Sequence, residues 1–348
     1  MKNIYFICIA MLSLFAWACQ EDQKEVPVVD MEIDQEILPD MGSTLTKRCP
    51  DLTNAPHFLV LYADRVEAFK RDERGFKVER VCTFLALHEQ GLRSASAFLR
   101  LNDGRFLIAE PSEMGGVLYL YDQLGNFISK TEPNINLKKV KGLWLKFDGK
   151  VVAWNESNEN LYQFSDQIEF IGNYQPTKSS SAKLSKVEDL IFLDADPEGE
   201  KMIAVYADRP PQLFAFPQPI SWDADQIASG KAITGVSSQI GIKLLISGAM
   251  QGNSGGIALF KPVVSGRALP MAEKMDLVLS SDDGIGDGAE LVAVEEGIFF
   301  VLDQGTKGDG SQSLNSFNSF GILQELNVLP AVESGIALDV IYTDLSTQ

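Results

Sequence analysis

Basic residues are scarce in this chain of 348. Thirty Lys and Arg stand against forty-eight Asp and Glu, for a formal net charge of −18 at pH 7. Nucleic-acid binding draws on clustered Lys and Arg to neutralise phosphates. Lying flat on an anionic membrane draws on the same cations. The charge balance argues against both. Histidine is scarcer still: His57 and His88 are 31 residues apart, and neither has a matching partner nearby, so surface or packing roles suit them. The N-terminal apolar run over residues 4–18 is too short for a membrane-spanning helix. A nucleophile elbow, an HExxH pair and a phosphate-cradling glycine loop are all missing. Gly252-Asn-Ser-Gly-Gly256 sets a serine between glycines, but it joins two strand-like runs rather than a strand and a helix. No ready-made catalytic constellation is therefore legible.

What the chain does contain is a phrase repeated six times: apolar strand, acidic residue, loop, second apolar strand. It begins with Phe58-Leu-Val-Leu-Tyr-Ala-Asp64, Phe106-Leu-Ile-Ala-Glu110, Val151-Val-Ala-Trp-Asn-Glu156, Met202-Ile-Ala-Val-Tyr-Ala-Asp208, Leu244-Leu-Ile-Ser247 and Ile298-Phe-Phe-Val-Leu-Asp303. Successive starts are 48, 45, 51, 42 and 54 residues apart. A drifting period of this length, carried by strands, predicts an all-β chain folded as a β-propeller of six four-stranded blades over residues 56–348. Apolar residues make up 45% of the chain, enough for the large core that such a ring needs. Turns such as Asn102-Asp-Gly104, Asp122-Gln-Leu-Gly125 and Asp148-Gly149 put glycine where a tight hairpin needs a positive φ. The first unit lacks an inner strand, and the last apolar segment, Gly335-Ile-Ala-Leu-Asp-Val-Ile-Tyr342, has nothing after it. The two halves are expected to complete one blade, with the C-terminal strand pairing beside residues 58–62. That closure removes exposed sheet edges.

The N-terminus reads differently. Residues 1–18 carry one charge, Lys2, and end in Phe15-Ala-Trp-Ala-Cys19. A small residue before a cysteine, after an apolar run, resembles the lipobox of bacterial lipoproteins. That resemblance implies cleavage before Cys19 and acylation of Cys19, hence stable attachment to a membrane. An ordinary secretory signal with an incidental cysteine is the alternative. Gln20-Glu21-Asp22 is similar to the surface-export signal of Bacteroidetes lipoproteins, which implies an outer-membrane, cell-surface location. A solvated acidic linker is the plainer reading. Residues 19–55 read as a tether: nine carboxylates face Lys24, Lys47 and Arg48, and no helical or strand period persists. A chain this acidic repels itself and extends. Losing Lys2 with the signal takes the net charge to −19.

Tyr62-Ala-Asp64, Tyr206-Ala-Asp208 and Tyr121-Asp122-Gln-Leu-Gly125 resemble the NHL/YVTN-type propeller repeat. The likeness covers roughly residues 56–345, and the fifth and sixth units depart from it most, leaving six against seven blades open. Propellers of this kind include binding platforms, assembly scaffolds and some hydrolases and lyases, so the fold does not settle the function.

Candidate sites follow from the repeat. Asp64, Glu110, Glu156, Asp208 and Asp303 fall at matching second-strand ends and should form an acidic ring at one end of the propeller. The ring could bind a cation or a basic partner, or each carboxylate could cap its own turn. Asp282, Asp283 and Asp287 suggest a calcium loop, although Ile285 and Val294 spoil the EF-hand register. Related propeller hydrolases hold calcium in the central channel. Here Asp194, Asp196 and Asp339 are the acidic residues expected on inner strands otherwise occupied by Leu99, Leu101, Trp144, Leu145, Leu193 and Val292. Trp222 could stack on a sugar or anchor a protein, or simply pack over a blade edge. Cys49 and Cys82 remain once Cys8 leaves with the signal and Cys19 is acylated. A bridge between them would staple the tether to the outer strand of blade one. The leading expectation is a non-enzymatic, lipid-anchored platform that binds another protein or an envelope component. The alternatives are a metal-dependent hydrolase or lyase and a glycan-binding lipoprotein.

Overall fold

The second strands of the repeat are mainly apolar because, where their side chains are described, both faces are buried. In the computed structural model, Phe106 and Ile108 pack toward the preceding blade, with Leu59, Leu61 and Phe84. Their neighbours Leu107 and Ala109 pack toward the following blade, with Val151, Ala153 and Phe164. Val152 and Trp154 in turn meet Met202, Ala204 and Tyr206. Phe58, Val60 and Tyr62 meet Phe300, Leu302 and Leu314, joining the two ends of the repeat array. Strand side chains alternate between faces, so second strands such as β5 (Phe106–Glu110) and β9 (Val151–Asn155) serve two interfaces. Burying each large apolar side chain contributes roughly 1.5–3 kcal/mol.

The structure describes residue 49 and residues 57–71, 77–175, 184–196, 199–215, 218–220, 227–238, 241–250, 256–262, 272–280, 288–293, 299–303, 313–318, 322–328 and 337–341. Among them are six antiparallel sheets of four strands, within the compact unit Ser43–Gln348. The first contains β1 (His57–Leu61), β2 (Arg65–Arg71), β3 (Val78–Ala86) and the C-terminal β24 (Ala337–Ile341). The second runs β4 (Ala97–Arg100), β5 (Phe106–Glu110), β6 (Val117–Tyr121), β7 (Phe127–Lys130). The third runs β8 (Val140–Leu145), β9 (Val151–Asn155), β10 (Asn160–Phe164), β11 (Phe170–Tyr174). The fourth runs β12 (Val187–Asp196), β13 (Gly199–Tyr206), β14 (Gln212–Ala215), β15 (Gln218–Ile220). The fifth runs β16 (Ile227–Ser238), β17 (Gly241–Met250), β18 (Gly256–Pro262), β19 (Ala272–Ser280). The sixth runs β20 (Gly288–Ala293), β21 (Phe299–Asp303), β22 (Ser313–Phe317), β23 (Leu323–Val328). First strands neighbour one another in a cycle: β24, β4, β8, β12, β16, β20 and back to β24. The chain is a β-propeller.

Turn chemistry sets the hairpins. Gly104 and Gly149 adopt φ of 87° and 79° at matching turns between first and second strands. Such angles are free of steric cost only for glycine. Beside them, Asp103 and Asp148 accept the backbone N–H of Arg105 and Lys150, each at 3.1 Å. The first blade is assembled from both ends of the chain. Its inner strand β24 runs antiparallel to β1, with Phe58 opposite Val340 and Leu61 opposite Ala337. Across the same seam the Phe58 and Phe300 rings lie 4.4 Å apart.

Cys49 is buried and bonded to Cys82 on β3, the outer strand of that sheet, with Cα atoms 5.7 Å apart. The bridge closes a separation of 33 residues. Residues 1–48, including Cys19 and most of the tether, lie outside the described residues.

Two outcomes are expected. Deleting residues 335–348 strips the first blade of its inner strand and should lower the thermal midpoint by on the order of 10 °C or more. An unchanged midpoint by differential scanning calorimetry would contradict the pairing of the two chain ends. Replacing Cys82 with Ser should cost about 2–4 kcal/mol in urea unfolding under oxidising conditions, as expected for a loop of this length.

Candidate functional site

The turn that leaves each second strand lies beside the segment that leads into a first strand. Ala109 O accepts from Ser96 N at 3.0 Å, Lys139 O accepts from Glu156 N at 2.9 Å, and Lys186 O accepts from Ala207 N at 3.1 Å. The acidic positions of the repeat sit at this junction, and they divide into three environments. Glu110 is committed to structure: its Oε1 accepts from Arg93 N and its Oε2 from the Tyr119 hydroxyl, both at 2.8 Å. In the third blade Asn155 does that work. Its Oδ1 accepts from Lys139 N at 3.0 Å and from Ser157 Oγ at 3.0 Å. Glu156 is therefore left at the surface, 4.0 Å from Lys141 Nζ.

Asp64 and Asp208 form the second group. They belong to the same four-residue corner, Tyr62-Ala63-Asp64-Arg65 and Tyr206-Ala207-Asp208-Arg209, on blades that are opposite members of the cycle of six. Each arginine folds back over its tyrosine, with the guanidinium carbon 4.5 Å from the Tyr62 ring and 3.8 Å from the Tyr206 ring. Each also reaches its aspartate, at 2.7 Å for Arg65 and 3.4 Å for Arg209. Burial pushes both tyrosine hydroxyls up to about 12. Lys186 bonds Asp208 at 2.9 Å and, with Arg209 beside it, holds that carboxyl below the usual range. The fourth residue of the corner repeats in the sequence but carries no acidic signal of its own, so the reading stopped at the aspartate.

Asp303 is the third case. It ends β21 fully buried, so it does not belong to a solvent-facing acidic rim. A run of Phe and Val just before it places it inside the sheet, whereas Asp208 and Asp64 lie two and three positions past the ends of their strands, in the turn. The five carboxylates thus recur near the ends of matching strands but share neither register nor environment.

A different aspartate draws the inner strands together. Asp189 lies on β12, with Oδ1 accepting from the Trp144 indole at 2.5 Å and from Leu190 N at 2.7 Å. Its Oδ2 accepts from Ile233 N at 2.8 Å. One carboxylate thereby joins β8, β12 and β16 of three successive blades. The indole reaches it by folding over Gly142, where an added Cβ would clash with the Trp144 ring. Beside it Glu188 pairs with Lys141 at 2.6 Å, a second tie between the third and fourth blades. Burial pushes the Asp189 carboxyl up to about 6, its three hydrogen bonds pulling the other way. Sequence reasoning assigned inner-strand acidity to Asp194, Asp196 and Asp339 and passed over Asp189. The one available signal was the Glu188-Asp189 pair directly before Leu190-Ile191-Phe192.

Among the described residues no three His, Cys, Asp or Glu side chains converge to hold a metal ion. Asp282, Asp283, Asp287 and Trp222 lie outside the described residues.

No protein-family model matches the chain, and no curated protein matches it by sequence. Solved structures do. A chain of the nidogen/laminin complex is similar at a TM-score of 0.58 and 11% identity, covering 82% of this chain and 98% of that one. A protein of unknown function from Bacteroides caccae is similar at 0.53 and 11%, covering 83% and 100%. A candidate 6-phosphogluconolactonase from Bacteroides uniformis is similar at 0.51 and 10%, covering 83% and 100%. At these identities the likeness is one of fold.

The Asp189 clasp has a pH signature. Its folded pKa lies above the ordinary aspartate value near 4. Between the two values the folded chain holds a proton that the unfolded chain has released. This group therefore makes the fold less stable as pH rises from about 4 to about 6. The unfolding free energy of the wild-type chain minus that of Asp189→Asn should fall across this window by as much as about 3 kcal/mol. A difference that stays flat from pH 4 to pH 6.5 in urea titrations would show that the carboxyl titrates normally.

Proposed function

We propose that this chain is an outer-membrane lipoprotein, acylated at Cys19, whose propeller is a platform for binding another envelope protein. One observation carries the binding reading. Seven large apolar side chains are exposed among the described residues, and six of them, Met114, Ile128, Ile135, Phe147, Phe170 and Ile171, belong to the second and third blades and the segments joining their strands. Scattered exposed apolar residues are ordinary, but Met114, Ile135 and Phe170 gather at one cleft, and such a group marks an interaction surface. Met and Phe are enriched at protein interfaces. The propeller of the nidogen/laminin complex offers a precedent for such a disc working within a protein complex. The lipobox-like Ala18-Cys19 and the acidic residues behind it support an anchored body held away from the lipid surface.

The test is extraction of the mature, anchored protein from outer membranes in mild detergent, with mass spectrometry of what co-elutes. A stoichiometric protein partner is the expected result. Elution of the chain alone from several detergents would overturn the platform reading.

A further inference from the structure

Three of the exposed apolar residues, Met114, Ile135 and Phe170, line a cleft between the second and third blades. Its volume is about 620 Å³, within the few hundred to about 1,000 Å³ over which a pocket can hold a small ligand or a few side chains. Phe164 and Ile168 are buried and contribute apolar surface to it, while Met114, Ile135 and Phe170 line it at exposures of 89%, 58% and 46%. Ile168 holds a φ of 61°, unusual for a β-branched residue, in the turn between Phe164 and Phe170. The Phe170 ring is held in place against Phe164, centroids 5.5 Å apart and near edge-on.

The polar groups of the cleft are largely occupied. Thr131 Oγ1 accepts from Leu118 N at 3.1 Å, and Asn134 Oδ1 accepts from Asn136 N at 2.9 Å. The Gln167 amide takes Arg105 at 3.3 Å and gives to Asp166 at 3.3 Å. A sugar would need such amides and hydroxyls for its own hydroxyl groups, so the cleft favours a ligand that brings apolar side chains. Its charge is one-sided. Glu132 and Glu169 line it, and Glu113 precedes Met114. All three are exposed, and none forms an ion pair among the described residues, unlike Asp64 and Asp208. Lys130 is the one cation lining it, with its Nζ 5.7 Å from the Tyr119 ring. β11, beside the cleft, is the last strand of its sheet, and an extended segment can run along such an edge.

We propose that this cleft receives an extended segment of a partner protein, with one or two large apolar side chains seated among Met114, Ile135 and Phe170 and lysines or arginines beside them facing Glu113, Glu132 and Glu169. Charge complementarity selects that chemistry: an acidic rim on a chain of net charge −18 repels acidic partners and draws basic ones. The inference rests on the platform reading and adds to it the place and the chemistry of the contact.

The probe is a fluorescein-labelled decapeptide with a central Phe-Leu pair and two lysines on each side, titrated into the detergent-solubilised full chain. Its counterpart carries glutamates in place of the lysines. The basic peptide should bind about tenfold more tightly than the acidic one at low salt, and the difference should shrink at 0.5 M salt. The surface double variant Met114→Ser/Ile135→Ser should weaken binding by about tenfold with an unchanged thermal midpoint. Glu132→Lys/Glu169→Lys should abolish the preference for the basic peptide, which keeps the test independent of the apolar pair. Equal affinity for both peptides, no binding, binding indifferent to both double variants, or displacement of the peptide by a neutral oligosaccharide would each overturn the cleft assignment. The membrane extraction separates the two readings. A native partner that still co-elutes with Met114→Ser/Ile135→Ser refutes the cleft and leaves the platform standing. Absence of any partner for the wild-type chain refutes the platform, and the peptide titration then decides the cleft alone.

Discussion

Every blade depends on being flanked on both sides. A second strand such as Val151–Asn155 is buried along its whole length, with alternate side chains committed to opposite neighbours. Remove a neighbour and one of those apolar faces meets water. An open row of such sheets would therefore expose a terminal face at each end. Pairing β24 with β1, together with contact of Phe58, Val60 and Tyr62 against Phe300, Leu302 and Leu314, supplies the missing neighbour at the seam. The energetic weight of the structure lies in these inter-blade surfaces. The hydrogen-bonded turns set the register that lets those surfaces meet.

The same logic explains what could be read from the residues. Burial on both faces writes itself as a run of apolar residues, and six such runs at a drifting spacing of 42 to 54 residues are hard to mistake. The orphan strand at the C-terminus was legible because the first unit lacked an inner strand. The environments of the acidic residues were not legible, because register along a strand is decided by a residue or two. Glu110 ends its strand, Glu156 follows one directly, and Asp208 and Asp64 lie two and three positions past theirs. A shift of this kind turns a buried acceptor into a solvent-exposed charge without any change in residue type. Asp189 escaped for the opposite reason. Its partners, Trp144 and Ile233, stand 45 and 44 residues away on other blades. No local pattern announces a contact made only when three sheets come together.

Glu110 and Asn155 accept a backbone N–H from the segment entering the first strand of their own blades, one with a carboxylate and the other with a neutral amide. What the junction requires is therefore an acceptor, and the negative charge is incidental to it. The acidic residues that do reach the surface there are locally answered: Asp64 by Arg65, Asp208 by Lys186 and Arg209, and Glu156 by the more distant Lys141. The strand-end acidity that the repeat makes so visible is thus mostly spent on holding turns and corners. It explains its own presence without a ligand.

The surface between the second and third blades is different in kind. Leaving Met114 and Ile135 in water gains the fold nothing, and polar residues there would satisfy the same loops. Glu113, Glu132 and Glu169 likewise have no turn or cation to hold among the described residues. Where the junction carboxylates are accounted for by the backbone they cap, these residues have no such account among the described residues. Apolar side chains kept exposed beside uncompensated charge are what a binding surface requires, because the partner, and not the fold, is what satisfies them.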